Sequence, residues 1–318
     1  MHIHRLFTTI VLSLITSIAA AFPVKPVRIV IPYGPGSGTD VVIRIIQPAL
    51  EKQLGVPVVI DNRAGAGGAI GTKAIASAAP DGYTIGMSTV STFATNYVFK
   101  SQAFNIETDF TYITRLGFMP RLMVVNAQFP ASTYKGFISE LEKNPNKYFY
   151  TTVINTVDML NAEIYKSSSG ASMTPVTYSD NSAQARLDLV SNRAQITMDS
   201  LPVLTQPIKQ GDLKPIAITG RHRNAKFPDV PSFGELGIKE LSSSTWYGFV
   251  GPAGIGSKEL EVLTRALHSA LADPVVVEKI SALGIDINIS TSAEHAADAK
   301  TALKLYTGAA KKLNIVPQ

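Results

Sequence analysis

A chain of 318 residues, 45% of them hydrophobic and 17% charged, holds enough apolar material for two globular cores of ordinary size. It has no cysteine, which removes disulfides, thiolate metal sites and thiol nucleophiles together. The formal charge of +5 is scattered apart from Arg221-His222-Arg223 and Lys311-Lys312, with no basic stripe carrying interleaved aromatics, so nucleic acid is not an expected partner.

Residues 1–21 read as a secretory signal. "MHIHR" carries one formal positive charge, 6–18 is an apolar run, and Ala19-Ala20-Ala21 gives an A-x-A cleavage site. The run is shorter than the ~20 residues that span a bilayer. Cleavage after Ala21 and residence in the periplasm are therefore expected, and the absence of a following cysteine excludes a lipid anchor.

Residues 27–33 predict a strand buried on both faces, being nearly continuous in apolar side chains. The glycine-rich stretch "GPGSGTD" follows, and then a helix over 39–54. Val42, Ile45, Ile46, Ala49 and Leu50 share one stripe of it, Gly55 stops it, and Pro48 inside it should kink it or free a carbonyl. A second strand over 56–60 feeds a second glycine loop, "DNRAGAGGAIG", and a short helix over 70–79. Pro80-Asp81-Gly82 turns the chain into a third strand over 83–89. This is a βαβαβ unit with a parallel sheet, and both glycine loops fall at the carboxyl ends of strands, the edge where open α/β sheets bind ligands.

The alternation continues with a strand over 121–126 and a helix beyond Thr133 that presents Phe137, Ile138 and Leu141. Strands are predicted over 148–153, 173–178, 194–200 and 213–219, with helices over 158–167, 183–191 and 205–210 between them. A Pro- and Gly-bearing connection over 226–237 precedes a strand over 244–254. The end is helical: Ser257 caps a helix with Leu260, Leu263, Leu267 and Leu271 on one stripe, Asp273-Pro274 opens another, and Ser292 opens the last. The expected fold class is α/β, with two lobes joined by two crossing hinge strands near 121–125 and 245–250. One lobe would hold 22–124 with 247–318, the other 125–246.

The glycine loops fit no nucleotide or nucleophile motif. G-x-G-x-x-G fails at Thr39 and Ile70, a P-loop fails at Gly71-Thr72-Lys73, and a nucleophile elbow around Ser37 fails at Pro35 and Thr39. His222, His268 and His295 form no close pair and read as exposed helix or loop residues. Asp158 and Glu163 read as a solvated helix face. Asp40 and Asp199 follow strand ends, where each can orient a loop as readily as touch a ligand. No catalytic residue, metal or cofactor is expected. What remains is anion binding at helix N-termini approached through glycine, at Gly36 and Gly38 in one loop and Gly67 and Gly68 in the other. A bulky residue at Gly36 or Gly67 is expected to abolish binding and spare the fold. A periplasmic hydrolase and a ligand sensor for a membrane signalling protein are the competing classes.

The segments "FPVKPVRIVIPYGPGSGTDVVIR", "LGVPVVIDNRAGAGGAIGTKAIASAAPDGYTIGMST", "DFTYITRLG" and "FPDVPSFGELGI...WYGFVGPAG" resemble, in order, the signatures of the Bug family, the periplasmic solute-binding proteins of tripartite tricarboxylate transporters. The resemblance implies a Venus-flytrap fold that closes as a monomer on an organic carboxylate. It implies that one carboxylate is held by the first-lobe loops: Gly34 to Asp40, including Gly36 and Gly38, with hydroxyls from Ser37 and Thr39, then Asn62 to Gly68, including Gly67, with Ser88 and Thr89 ending the third strand. The expected partners are a small organic acid and a permease of one large and one small subunit. Departures from the family fall elsewhere. Phe93 stands where a histidine is common, "TTVINTVDM" (151–159) replaces a Ser/Gly-rich loop, and "TYSDNSAQA" (177–185) lacks a usual lysine and two glycines. Thr152, Asn155, Tyr178 and Asp199 would then face the ligand from the second lobe. The far end of the pocket is expected to be less cationic, suited to a ligand without a second strongly paired carboxylate.

Overall fold

The computed structural model describes residues 22–95, 104–154, 156–179 and 182–312. Its first part follows the sequence pattern closely. Strand β1 (Val27–Ile31) leads into helix α1 (Gly38–Leu54), β2 (Val58–Asn62) into α2 (Ala69–Ala76), and β3 (Thr84–Thr89) follows. The three strands are parallel, with β1 between β2 and β3. Helix α1 runs through Pro48, buries Val42, Ile43, Ile46 and Leu50, and ends where Gly55, at φ 71°, donates its N–H to the Glu51 carbonyl. Each such buried aliphatic side chain contributes about 1.5–3 kcal/mol.

A ten-residue strand, β4 (Phe110–Met119), has no counterpart in the expected elements. It carries buried Thr114 and Arg115 among its apolar residues, and Arg115 is held by Asp298 and Asn288. Across Pro120 the chain passes directly into β5 (Arg121–Asn126), which belongs to another sheet. Then come α3 (Tyr134–Lys143), β6 (Phe149–Val153), α4 (Val157–Ser169), β7 (Thr174–Tyr178), α5 (Ser182–Val190), β8 (Ile196–Ser200), α6 (Leu201–Gln210) and β9 (Leu213–Ile218). The chain returns through 219–244 to β10 (Thr245–Pro252), and finishes with α7 (Ser257–Leu271), α8 (Pro274–Ala282), β11 (Asp286–Ile287) and α9 (Ser292–Lys312).

Two sheets result, in the orders β11-β4-β10-β3-β1-β2 and β7-β6-β8-β5-β9. Strand β10 pairs antiparallel with both β3 and β4, and β5 does the same with β8 and β9. Residues 121–126 thus lie wholly in the second sheet and 245–252 wholly in the first. The crossings fall at Pro120 and in 219–244, a few residues from where the sequence suggests. They are stitched together: Thr245 donates through Oγ1 to the Met119 carbonyl, and Arg121 and Thr219 exchange two bonds of 2.8 Å.

The sheets share an apolar cluster. Phe93, fully buried, packs on Phe110, Tyr112 and Trp246 at ring separations of 5.0, 5.9 and 6.2 Å. It therefore stands in the core and not in a cleft. Helix α9 continues this cluster onto α4, where the Tyr306 hydroxyl meets Asn161 Oδ1 at 3.2 Å. Ser257 is the first helical residue of α7, with Gly256 as its cap.

Candidate functional site

The loop after β1 is organised by Asp40. Its carboxylate accepts from the Gly36 N–H at 2.8 Å, from Arg44 Nε at 2.9 Å and from Asn62 Nδ2 at 3.1 Å. Burial opposes the charge, but these three partners hold the carboxyl below its usual range. Ser37 caps α1: its Oγ accepts from the Asp40 N–H at 3.3 Å and sits 3.1 Å from Thr39 Oγ1. The N–H groups of Gly38 and Thr39, at the first two helical positions, have no acceptor within the helix. With the positive end of the helix dipole behind them, they form an anion cradle.

This cradle opens onto a cavity of about 720 Å³, counting the space at its mouth. Tyr33, Ser37, Gly38, Thr39 and Tyr247 form the wall on the first sheet's side. The opposite wall comes from the second sheet: Arg121 opens β5, Thr151 and Thr152 lie near the end of β6, Thr156 caps α4, Asp158 occupies its first turn, and Asp199 and Ser200 end β8. Arg186 of α5 stands at the edge and donates to the Gly36 carbonyl at 3.2 Å, bridging the two sides. A second bridge runs from the Val157 N–H to Ser91 Oγ at 3.2 Å.

Of the residues expected from sequence, Ser37, Gly38, Thr39, Thr152 and Asp199 line the cavity together. Asn155 lies outside the described residues. The others are placed elsewhere, each for a visible reason. Asp40 is spent on the loop. Gly36 adopts φ 77° with open space where a Cβ would stand, so its requirement is conformational and not a matter of ligand approach. Gly67 and Gly68 are buried behind Tyr33: a Cβ on Gly68 would meet Thr92, the Pro32 carbonyl and the Tyr33 ring. The second glycine loop thus supports a wall residue of the cavity without lining it. Ser88 bonds His295 Nε2 at 3.0 Å, Thr89 closes a turn with Thr92, and the Tyr178 hydroxyl donates to Asp188 at 2.6 Å.

Steric demand falls on Gly38 instead. A Cβ there would lie 2.5 Å from Ser200 Oγ and 2.9 Å from the Tyr247 hydroxyl.

Two expectations are corrected. Asp158 is not on a solvated face: it lies in the cavity wall with 19% of its side chain exposed, 3.3 Å from Arg121 Nε. Burial raises its pKa to about 7, against the pull of Arg121 and with a further push from Asp199. His295 is fully buried, and burial pushes its pKa down to about 4.

The far side is also not poor in cations, because Arg121 and Arg186 both reach it. Arg121 is only 5% exposed. Burial works against its charge, yet Asp158, Tyr247, Asp199 and Tyr33 keep it firmly protonated. Asp199 stands 3.5 Å from it. The sequence offered one signal for Arg121, a charged residue opening an otherwise apolar strand, "RLMVVN".

A cleft between two α/β sheets, with an anion cradle on one wall and a buried guanidinium on the other, defines a two-lobed solute receptor. Residues 42–311 match the family model described as "Tripartite tricarboxylate transporter family receptor", and the chain belongs to that family of periplasmic solute receptors, which includes the Bug proteins. Protein BugT of Bordetella pertussis is 31% identical over 86% of this chain and 84% of its own. A solved structure described as a periplasmic transporter is 34% identical at a TM-score of 0.89, covering 94% of this chain and all of that one. A protein of R. palustris solved with adipate is 26% identical, at a TM-score of 0.88 and coverages of 93% and 100%. Another, from Rhodopseudomonas palustris with bound malate, is 25% identical, at 0.83, 91% and 99%.

Proposed function

We propose that this chain, exported by a signal segment cleaved after Ala21, binds a small organic carboxylate between its two lobes. It would present the closed form to a two-subunit membrane permease of the tripartite type. The observation that carries the reading is the composition of one cavity: the N-terminus of α1 with the Ser37 and Thr39 hydroxyls on one side, and buried Arg121 Nε and Thr152 Oγ1, neither with a hydrogen-bond partner among the described residues, on the other. A buried donor left unpaired costs about 1–3 kcal/mol, so a polar ligand that bonded these atoms would gain by it. Two structural relatives were solved with adipate and with malate, both organic carboxylates, which supports a carboxylate as the ligand here.

The ligand carboxylate would accept from the Gly38 and Thr39 N–H groups and from one or both hydroxyls. Each bond to a charged group is worth ~1.5–3 kcal/mol, so three to five roughly cover the ~8 kcal/mol of micromolar binding. The ligand would also tie the walls together, adding to the Arg186–Gly36 and Val157–Ser91 bridges. Binding, not turnover, is the expected outcome, because the charged groups of the far wall, Arg121, Asp158 and Asp199, are held together in one ion-paired cluster. Thermal unfolding of residues 22–318 against a panel of organic acids tests this. A ligand at 100 times its dissociation constant adds ~2.7 kcal/mol, or several degrees for lobes of this size. Silence across mono-, di- and tricarboxylates and amino acids would refute the reading.

A further inference from the structure

The far wall of the cleft holds a donor and an acceptor side by side, both unmet. Arg121 Nε and Asp158 Oδ1 stand 3.3 Å apart, yet each is buried with no hydrogen-bond partner. Thr152 Oγ1, on a residue only 4% exposed, is the third unmet atom of this wall and can act in either sense. Among the described residues, the charged groups around Asp158 are Arg121 from β5 and Asp199 from β8, with the phenols of Tyr33 and Tyr306 nearby.

Three kinds of ligand end can be weighed against this wall. With Asp158 ionised, as at pH 8, a carboxylate accepts from Arg121 but cannot donate to Asp158, and it would join two carboxylates around one guanidinium. An ammonium donates to Asp158 but accepts nothing, so Arg121 Nε stays unmet and a second cation lies beside it. A primary amide presents an N–H donor and a carbonyl acceptor on adjacent atoms, and adds no charge to a site already holding three.

We propose that the ligand is a monocarboxylate whose far end is a primary amide, its NH₂ donating to Asp158 and its carbonyl accepting from Arg121 and Thr152. The assignment rests on the carboxylate-receptor reading and narrows it: the α1 cradle takes the charged end, and the Asp158–Arg121 pair selects the neutral one. Asp158 is then the specificity-determining residue.

Isothermal titration at pH 8 with succinate, glutarate and adipate, their monoamides, and the ω-amino acids of matching length tests it. The expected result is that one monoamide binds at least about tenfold tighter than its dianion and its ω-amino counterpart, a difference of about 1.4 kcal/mol. Asp158→Asn, nearly isosteric, should weaken the monoamide by about tenfold and strengthen the dianion, reversing the preference. A dianion or ω-amino acid ranked first by the wild type would overturn the proposal, as would an unchanged preference in Asp158→Asn. The wild-type ranking decides by itself if the variant does not fold. Binding of some other acid with none of the monoamides bound sinks only the amide assignment. Silence towards every acid, in a protein that melts cooperatively, sinks the receptor reading with it.

Discussion

Gly38→Ala separates binding from folding. Gly38 is the first residue of α1, its backbone is not left-handed, and alanine is favoured over glycine in a helix by up to about 1 kcal/mol. The new Cβ would nevertheless lie 2.5 Å from Ser200 Oγ, 2.9 Å from the Tyr247 hydroxyl and 3.4 Å from Ser200 Cβ. Ser200 ends β8 in the second sheet, and its Oγ donates to Asp199 at 3.2 Å, so it is not free to swing away without cost. The methyl group must therefore push the two walls apart by roughly half an ångström. Overpacking of this kind costs about 1–3 kcal/mol, and here it falls on the closed cleft. At 1.4 kcal/mol per decade, affinity should drop about 5- to 150-fold, while the unliganded melting temperature holds or rises. Calorimetric titration with the tightest acid of the panel, alongside thermal melts, reads both. Ser200→Ala in the same chain should restore part of the affinity. Wild-type affinity in Gly38→Ala, or a fall in melting temperature matching the lost binding energy, would refute the reasoning.

Arg121→Met should abolish binding and also destabilise the unliganded protein, by up to about 3 kcal/mol, because Asp158 and Asp199 lose their counter-ion; Arg121→Lys should recover stability more than affinity. Asp158 titrates higher folded than unfolded, so the native state holds the extra proton and stability from this group falls as pH rises from the ordinary 3.8 towards about 7. Asp158→Asn should remove that slope in melts compared between wild type and variant. Gly248→Ala should lower the melting temperature by about 2–12 °C, since its Cβ would lie 1.9 Å from His295 Cε1 and break the Ser88–His295 contact, and an unaltered melt would show that the pocket around His295 is loose.

The first βαβαβ unit was legible because its signals are local: unbroken apolar strands, a helical stripe from Val42 to Leu50, and glycines at fixed points. The Ser37–Thr39 end of the cleft came with it, since a helix N-terminus after a parallel strand is a position that spacing alone defines. Strand β4 was not legible. Its Thr114 and Arg115 interrupt the apolar pattern, and their burial is compensated by Ser290, Asn288 and Asp298, more than 170 residues away. The same holds for the second wall. Asp158 looked solvated because only the fold brings Arg121 to it from a strand 37 positions earlier, and the role of Tyr33 as a wall emerges only once Gly68 is packed behind it. Arg121 read only as the opening of a strand and Asp158 as solvated charge until the crossing at Pro120 places them in one cavity.

The proposed function depends first on the N-terminus of α1 holding a carboxylate. The most direct test is the dissociation constant of the tightest acid of the panel, measured by calorimetry against the ester or amide that removes the charge from the end facing Ser37–Thr39. If two charge-assisted bonds are reduced to neutral ones, the loss should be about 100-fold or more at one-to-one stoichiometry. Equal binding of the acid and its uncharged counterpart would show that the N-terminus of α1 does not hold the charged end.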